Sequence, residues 1–249
     1  MLFTDSLFIG IDPTSANKSF TYAAFDKQLN LIALSDGELD DVAAFVAGQQ
    51  SATVAINAPA NVNRGLVREK IKKEMLTPHK IRAAEYRLAE YQLREKGIAV
   101  SGTPASVGVC PAWMQLGFSL YRKLEKLGFK KYTTNNPHAR QILETHPHAC
   151  FCVLAGDTPQ PKPTLEGKLQ RQLLLYERGV KIKDPMDFFE EITRHKMLRG
   201  IWPHELLYLP EQLDALAAAY LAWLAVNKPE QVTCLGDETE GQIFLPIKP

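Results

Sequence analysis

The first 57 residues contain a succession of apolar runs and turns that restricts the fold more than any other part of the chain. Three runs of strand character come first, at 7–12, 19–25 and 29–35, with polar turns between them. Their aromatic and β-branched residues suit the pleated surface of a sheet. Consecutive strands joined by turns pair in the antiparallel sense, so we predict a three-strand antiparallel meander.

A helix and a fully apolar strand follow the meander. Residues 40–48 have helical spacing and end at a glycine, and residues 53–57 form a continuous apolar run. Such a run is typical of a strand buried on both faces. Because a crossover through a helix returns the chain parallel to its starting strand, the fourth strand should lie parallel to the first.

The remainder of the chain predicts further helices around the same sheet. Helical segments are expected at 64–75, 81–96, 112–127, 165–178, 186–198 and 211–226. A strand is expected at 140–145, and 231–236 and 242–247 are expected to form one or two edge strands, since a proline is tolerated only at an edge. With no repeat or linker in view, we predict one α/β domain over 1–249, with helical insertions roughly within 60–140 and 160–205.

Cysteine usage and hydropathy favour a cytoplasmic location. The four cysteines form no CxxC pair, the opening residues lack the pattern of a signal peptide, and no apolar window approaches the length of a membrane span. We therefore expect free thiols and no membrane partner. The oligomeric state cannot be read from the sequence.

The net charge of +1 conceals an uneven distribution. Residues 61–202 carry 25 basic and 14 acidic side chains, net +11, whereas 1–60 and 203–249 are each net −5. This asymmetry predicts a partner such as nucleic acid or another phosphate-rich polyanion. A set of solvated helices rich in lysine and arginine would produce the same counts.

Polar residues end three of the predicted strands. Asp12 ends the first, Asn57 the fourth and Glu144 the strand at 140–145. Sites in open α/β sheets form at the carboxyl ends of the strands, so these side chains are expected to converge. Taken singly, each could equally be a turn former or a helix cap.

Asp214 lies near the start of a segment, 213–226, that is apolar almost all round. A helix of this kind is buried, and an ionised aspartate in it needs a partner, a cap position or a metal. Together with Asp12 and Glu144 it offers hard oxygen ligands for Mg²⁺ or Mn²⁺. The alternative is a first-turn carboxylate favoured by the helix dipole.

Other charged residues could assist such a site. Arg82 and Glu85 lie one helical turn apart and could contact a phosphate and orient a metal ligand, or form a plain surface ion pair. Lys168 and Arg171 belong to a basic segment that could bind phosphate or be a solvated helix face. His146 could shuttle a proton or support a ligand.

Seven motifs carry a resemblance to a known family. They are GID at 10–12, IxAP at 56–59, RxxE at 82–85, WMQLGF at 113–118, LETHPHAxF at 143–151, LDALAAAYLAW at 213–223 and GDETEGQIFLP at 236–246. In their order and spacing the chain resembles, from Phe8 to Pro246, the predicted ribonuclease-H-like nucleases grouped as domain of unknown function 429. The resemblance implies a ribonuclease-H-like core, that is, a mixed sheet with an antiparallel meander and then parallel strands. It also implies a metal-dependent phosphodiesterase site with acids at Asp12, Glu144 and Asp214.

One position departs from the family pattern. Asn57 stands where the family commonly has an aspartate, so the amide oxygen could reach a metal but would bring no charge. We therefore expect weak metal binding, and a two-metal site could be reduced to one ion. The leading hypothesis is a Mg²⁺- or Mn²⁺-dependent nuclease. The alternatives are a non-catalytic nucleic-acid-binding protein on the same fold, and an actin-like phosphotransferase suggested by the turn from Asp12 to Ser15.

Overall fold

The predicted meander forms one side of a mixed sheet. The computed structural model describes residues 6–13, 19–73, 85–133 and 138–248, with backbone only for 70–73. The strands in this part of the chain are β1 (Leu7–Pro13), β2 (Phe20–Phe25), β3 (Leu31–Gly37), β4 (Ala52–Ile56), β5 (Lys130–Lys131), β6 (Arg140–Thr145), β7 (Val232–Asp237) and β8 (Gly241–Pro246). The pairs β1–β2 and β2–β3 are antiparallel and β1–β4 is parallel, which confirms the predicted opening.

The strand order is β3-β2-β1-β4-β6-β8-β7, and the short β5 also pairs with β6. The final segments form two strands, and β7 lies at the edge of the sheet as predicted. The prediction of an edge position is wrong for β8, which carries the proline and runs parallel to β6 on one side and antiparallel to β7 on the other. Its proline is tolerated because β6 pairs with β8 only at Ile243 and Phe244, so Pro246 lies beyond that ladder.

The predicted helices are largely in place. In the described residues they are α1 (Leu39–Ala47), α2 (Leu66–Lys73), α3 (Leu88–Glu95), α4 (Ala112–Lys126), α5 (Pro147–Ala155), α6 (Leu165–Tyr176), α7 (Asp187–Glu190), α8 (Arg194–Leu198) and α9 (Pro210–Asn227). The single helix expected at 186–198 is two short ones, because the Thr193 side chain caps a new helix by accepting a hydrogen bond from the Lys196 amide. Among the described helices, none has the length and apolar character needed to cross a membrane.

The two faces of the sheet carry separate apolar cores. Side chains alternate along β1, so Phe8 packs into the core beneath α9 while Ile9 and Ile11 pack into the core on the opposite face, against α1 and α4. The prediction that the alanine-rich helix is buried is confirmed, since most of α9 is inaccessible to solvent.

The closest approach between sheet and helix occurs at Gly10. A Cβ atom at this position would lie 2.0 Å from the Ala215 carbonyl oxygen and 2.2 Å from the Ala219 amide nitrogen. The backbone of β1 therefore touches the backbone of α9. This contact places Asp12, two residues further along β1, on the same side of the molecule as Asp214 on α9.

Candidate active site

The carboxyl ends of β1, β4 and β6 open into one cleft of about 640 Å³. The register pairs Ile11 with Ile56, and Ile56 with Glu144, so the residues that close these strands are neighbours. The four predicted site residues all line this cleft: Asp12, Asn57, Glu144 and Asp214. The structure thus brings together side chains that are up to about two hundred residues apart in the chain.

Asp12 and Asn57 are joined by a hydrogen bond. The Asn57 Nδ2 atom donates to Asp12 Oδ1 at 2.6 Å, and Asp12 is buried. We expected the amide to offer its oxygen to a metal beside Asp12. In the structure the amide nitrogen is the atom directed at Asp12, so Asn57 serves as a donor to the carboxylate.

Asp214 is bound by a lysine that the sequence analysis did not single out. The Lys162 Nζ atom lies 2.7 Å from Asp214 Oδ2, and the exposed side-chain fractions are 51% and 6% respectively. Asp214 is not a cap, because α9 begins at Pro210 and the Gln212 side chain accepts the hydrogen bond of the Leu209 amide. The carboxylate is therefore held in the cleft by a cation and not by the end of the helix.

Asp12 and Asp214 lie within each other's electrostatic field. Burial, followed by the charge of Asp214, raises the pKa of Asp12 to about 7, against the lowering effect of the Asn57 hydrogen bond. Burial also raises the pKa of Asp214, with Lys162 acting in the opposite direction. Two buried carboxylates that disfavour each other's charge form a site where an added cation would be strongly attracted.

Glu144 is occupied by a buried arginine. Arg87 donates to Glu144 Oε1 and Oε2, and the Ala60 amide donates to Oε2 at 2.8 Å. Burial raises the pKa of Glu144 although Arg87 opposes the shift. Glu144 is thus a partner of Arg87, and within the described residues no group of three or more His, Cys, Asp or Glu side chains is placed to hold a metal ion.

Arg87 continues into a second buried ion pair. Its Nε atom lies 2.8 Å from Glu90 Oε1, and Glu90 also accepts hydrogen bonds from the amide and hydroxyl of Thr103. Both Arg87 and Glu90 line the cleft. Their Arg-x-x-Glu spacing at 87–90 repeats the one we selected at 82–85, and this repetition was the signal that could have revealed them.

The motif selected at 82–85 lies only partly within the described residues. Arg82 falls outside them. Glu85 is exposed and borders a separate, smaller pocket. The glutamate that lines the cleft and contacts the buried arginine is Glu90, five residues later.

His146 lines the cleft and begins α5. Its Nδ1 atom accepts a hydrogen bond from the Ala149 amide at 3.1 Å, which leaves the ring proton on Nε2. Burial, and then the neighbouring His148, lower the pKa of His146 to about 4. A neutral ring at pH 7 suits a helix cap with one N–H directed away from the helix.

Of the three basic residues expected to contact phosphate, Arg82 lies outside the described residues, and Lys168 and Arg171 are not part of the cleft wall. Arg171 is buried, and its Nη1 atom donates to the carbonyl oxygens of Gln160 and Gly167. Lys168 is half-buried on α6 and does not border the cleft. Lys162 lines the cleft instead. Its position between two prolines shortly before a helix was a usable signal, because proline restricts the backbone.

Comparison with known proteins agrees with the resemblance seen in the motifs. The model of a family described as "Protein of unknown function (DUF429)" matches residues 10–241. No curated protein and no solved structure matches the chain. Because the match extends over most of the sequence, the chain belongs to the DUF429 family.

Proposed function

We propose that this protein is a Mg²⁺- or Mn²⁺-dependent nuclease that hydrolyses a phosphodiester bond of nucleic acid in the cleft. The observation that carries the proposal is a pair of buried carboxylates in one cleft, Asp12 at the carboxyl end of β1 and Asp214 on α9. Lys162 offsets one of their two charges. Burial, and then repulsion by Asp214, raises the pKa of Asp12. A divalent cation bound between the two carboxylates would relieve that repulsion.

The donor set fits a magnesium site of two protein carboxylates. Mg²⁺ keeps several waters and is usually held by one or two carboxylates together with the phosphate of the substrate. Asp12 and Asp214 each have two oxygens, and one oxygen of each is bound to a neighbouring donor. Glu144 does not join them, since both of its oxygens are bound by Arg87.

The side chains around the pair can divide the work of hydrolysis. A bound divalent ion supplies Lewis acidity and a more acidic water. Asp12 and Asp214 would hold that ion, and the Lys162 ammonium, with three N–H donors, could reach a phosphate oxygen while keeping its bond to Asp214. Arg87 positions the strand end at Glu144 and so maintains the cleft wall.

Other features of the molecule support a nucleic-acid substrate. The mixed sheet, with a meander followed by parallel strands, is the core expected for a ribonuclease-H-like nuclease. The middle of the chain is net +11. The wall of the cleft also includes apolar side chains from Val100, Trp113 and Met114, which suit the faces of a base or sugar.

One observation favours a second candidate, a nucleic-acid-binding protein without catalytic activity. Each predicted metal ligand with a carboxylate already has an internal donor: Asn57 for Asp12, Lys162 for Asp214 and Arg87 for Glu144. A cleft with charges satisfied in this way can be stable without a metal. The actin-like alternative gains no support, because Thr14 and Ser15 lie outside the described residues.

A cleavage assay tests the proposal. Labelled single- and double-stranded DNA and RNA would be incubated with the protein in Mg²⁺, in Mn²⁺ and in EDTA. We expect metal-dependent cleavage that falls by about 10²-fold or more in Asp12→Asn and Asp214→Asn, as for loss of a group that stabilises the transition state. Lys196→Met, which removes an exposed ion pair on α8, serves as the control and should cleave like the wild type.

Two results would contradict the proposal. Cleavage that persists in EDTA, or in both aspartate variants, would show that the activity does not come from this cleft. Binding to a nucleic acid with no cleavage in either metal would instead support the second candidate. In that case the affinity should fall steeply with salt, because each neutralised phosphate releases counterions.

A further inference from the structure

Lys162 reaches the carboxylate pair from a fixed position on the rim of the cleft. Its ammonium binds Asp214 at 2.7 Å, while about half of the side chain is exposed. Because the ammonium contacts a buried carboxylate while half of the side chain meets solvent, the charge of Lys162 lies at the mouth of the site. The charge is therefore available to both the buried aspartates and an incoming ligand.

The loop that carries Lys162 is anchored by the buried face of α6. The Thr164 hydroxyl donates to the Pro161 carbonyl at 2.9 Å, and Arg171 donates to the Gln160 carbonyl at 2.6 Å. The Pro161 oxygen also lies so close to Gly167 that a Cβ there would be only 2.0 Å away. Since the residues before Lys162 are held in this way, the backbone of the loop is fixed at the point from which the Lys162 side chain reaches Asp214.

Hydrogen bonds occupy one oxygen of each aspartate. Asn57 donates to Asp12 Oδ1 and Lys162 donates to Asp214 Oδ2. The other two oxygens suit one divalent ion that keeps several of its waters. The Lys162 ammonium lies on the Asp214 oxygen that a second ion would need, and it would repel a second cation at that position.

The pKa values agree with close contact among these groups. Partial burial acts to lower the pKa of Lys162, but the charge and hydrogen bond of Asp214, together with the charge of Asp12, raise it above its usual range. Lys162 in turn lowers the pKa of Asp12. The ammonium is thus electrostatically coupled to both carboxylates.

We propose that Lys162 replaces the second divalent ion of the cleft, so that the protein binds one ion between Asp12 and Asp214 and uses the lysine ammonium as the other positive charge on the phosphate. The phosphate contact rests on the proposed function. The number of bound ions does not depend on the proposed function, because it can be measured without a substrate.

Calorimetric titration of Mn²⁺ into the full-length protein tests this inference. The wild type should bind one ion. Lys162→Met and Lys162→Gln should either bind a second ion or bind the first about tenfold more tightly or better, because two buried carboxylates lose their counter-charge. Lys162→Arg keeps the charge and should resemble the wild type, as should Lys196→Met, which breaks an exposed ion pair of the same 2.7 Å length.

The possible outcomes separate this inference from the nuclease proposal. The role of Lys162 would be overturned if the wild type bound two ions. It would also be overturned if the neutral Lys162 variants bound the same number of ions as the wild type with the same affinity, or if none of these proteins bound an ion. If Lys162→Arg bound Mn²⁺ as tightly as the neutral variants do, the inference would also be overturned, since the loss of charge would not be the cause of the tighter binding. If the titrations gave the expected numbers of ions but the cleavage assay showed no activity, Lys162 would still replace the second ion and only the nuclease proposal would be overturned. If the neutral variants do not fold, the wild-type count decides: one ion supports the inference and two overturn it.

Discussion

Arg87 binds both carboxylate oxygens of Glu144, from Nη2 to Oε1 at 2.5 Å and from Nη1 to Oε2 at 3.0 Å. Both side chains are almost completely buried. Arg87 precedes α3 and Glu144 lies near the end of β6, so this ion pair ties a helix start to the strand that forms one wall of the cleft. Glu90 receives the third contact of the same guanidinium.

Loss of the arginine should therefore be severe. Arg87→Met would leave two carboxylates, on Glu90 and Glu144, buried without their cation, and we expect a loss of about 3–5 kcal/mol in the free energy of unfolding. Urea denaturation measures this value. In the double variant Arg87→Met/Glu144→Gln part of the loss should be recovered, and a loss below about 1 kcal/mol in the single variant would show that the pair is not a main stabilising contact.

Gly10 should tolerate no side chain. In Gly10→Ala the new Cβ would press on the Ala215 and Ala219 backbone of α9, at separations that no rotamer change can relieve. We expect a loss of about 3 kcal/mol or more in the free energy of unfolding, at the upper end for overpacking. Gly108→Ala is the matched control, because a Cβ there meets no atom within 4 Å, and near-equal stability of the two variants would contradict the prediction.

Asn57→Asp should act in opposite directions with and without metal. The substitution replaces the hydrogen bond to Asp12 by two carboxylates at close range, so the metal-free protein should lose stability. In titrations with Mg²⁺ the same variant should bind more tightly, by about 1–3 kcal/mol, on the scale of a charge-assisted contact. Asp12→Asn is the control that should lose binding, and an unchanged affinity in Asn57→Asp would show that position 57 lies outside the metal's shell.

The raised pKa of Asp12 predicts how metal-free stability changes with pH. Its folded-state pKa of about 7 lies above the ordinary value of 3.8, so protonation of Asp12 favours the folded state. This contribution is complete below about pH 4 and is lost as the pH rises through 7, with a total of about 4 kcal/mol for a shift of about 3 pKa units at 1.36 kcal/mol per unit.

The neutral variant Asp12→Asn should lack this dependence. Urea denaturation in EDTA at pH 4.5, 6 and 8 should show the wild type losing stability relative to Asp12→Asn as the pH rises. Addition of Mn²⁺ should restore wild-type stability most at pH 8, where both carboxylates are ionised. If the stabilities of the two proteins run parallel over this range, Asp12 does not titrate near neutrality.

Much of the fold follows from local patterns in the sequence. The β-β-β-α-β order can be predicted because strand and helix periods differ, and the parallel return of β4 follows from the handedness of crossovers. The meeting of Asp12 with Asn57 follows as well, since parallel neighbours end at the same edge of a sheet. The burial of α9 is visible in the absence of a polar face.

The tertiary structure decided which cation binds Asp214 and which binds Glu144. Lys162 and Asp214 are 52 positions apart, and Arg87 and Glu144 are 57 apart, so no local period links them. Two Arg-x-x-Glu spacings occur within nine residues, and the sequence offers no means of choosing between them. An ion pair forms where the packed chain brings two opposite charges together, and in the Arg87–Glu144 pair that packing also removes water from both partners. Both the approach and the burial are properties of the packed chain and not of any segment taken by itself.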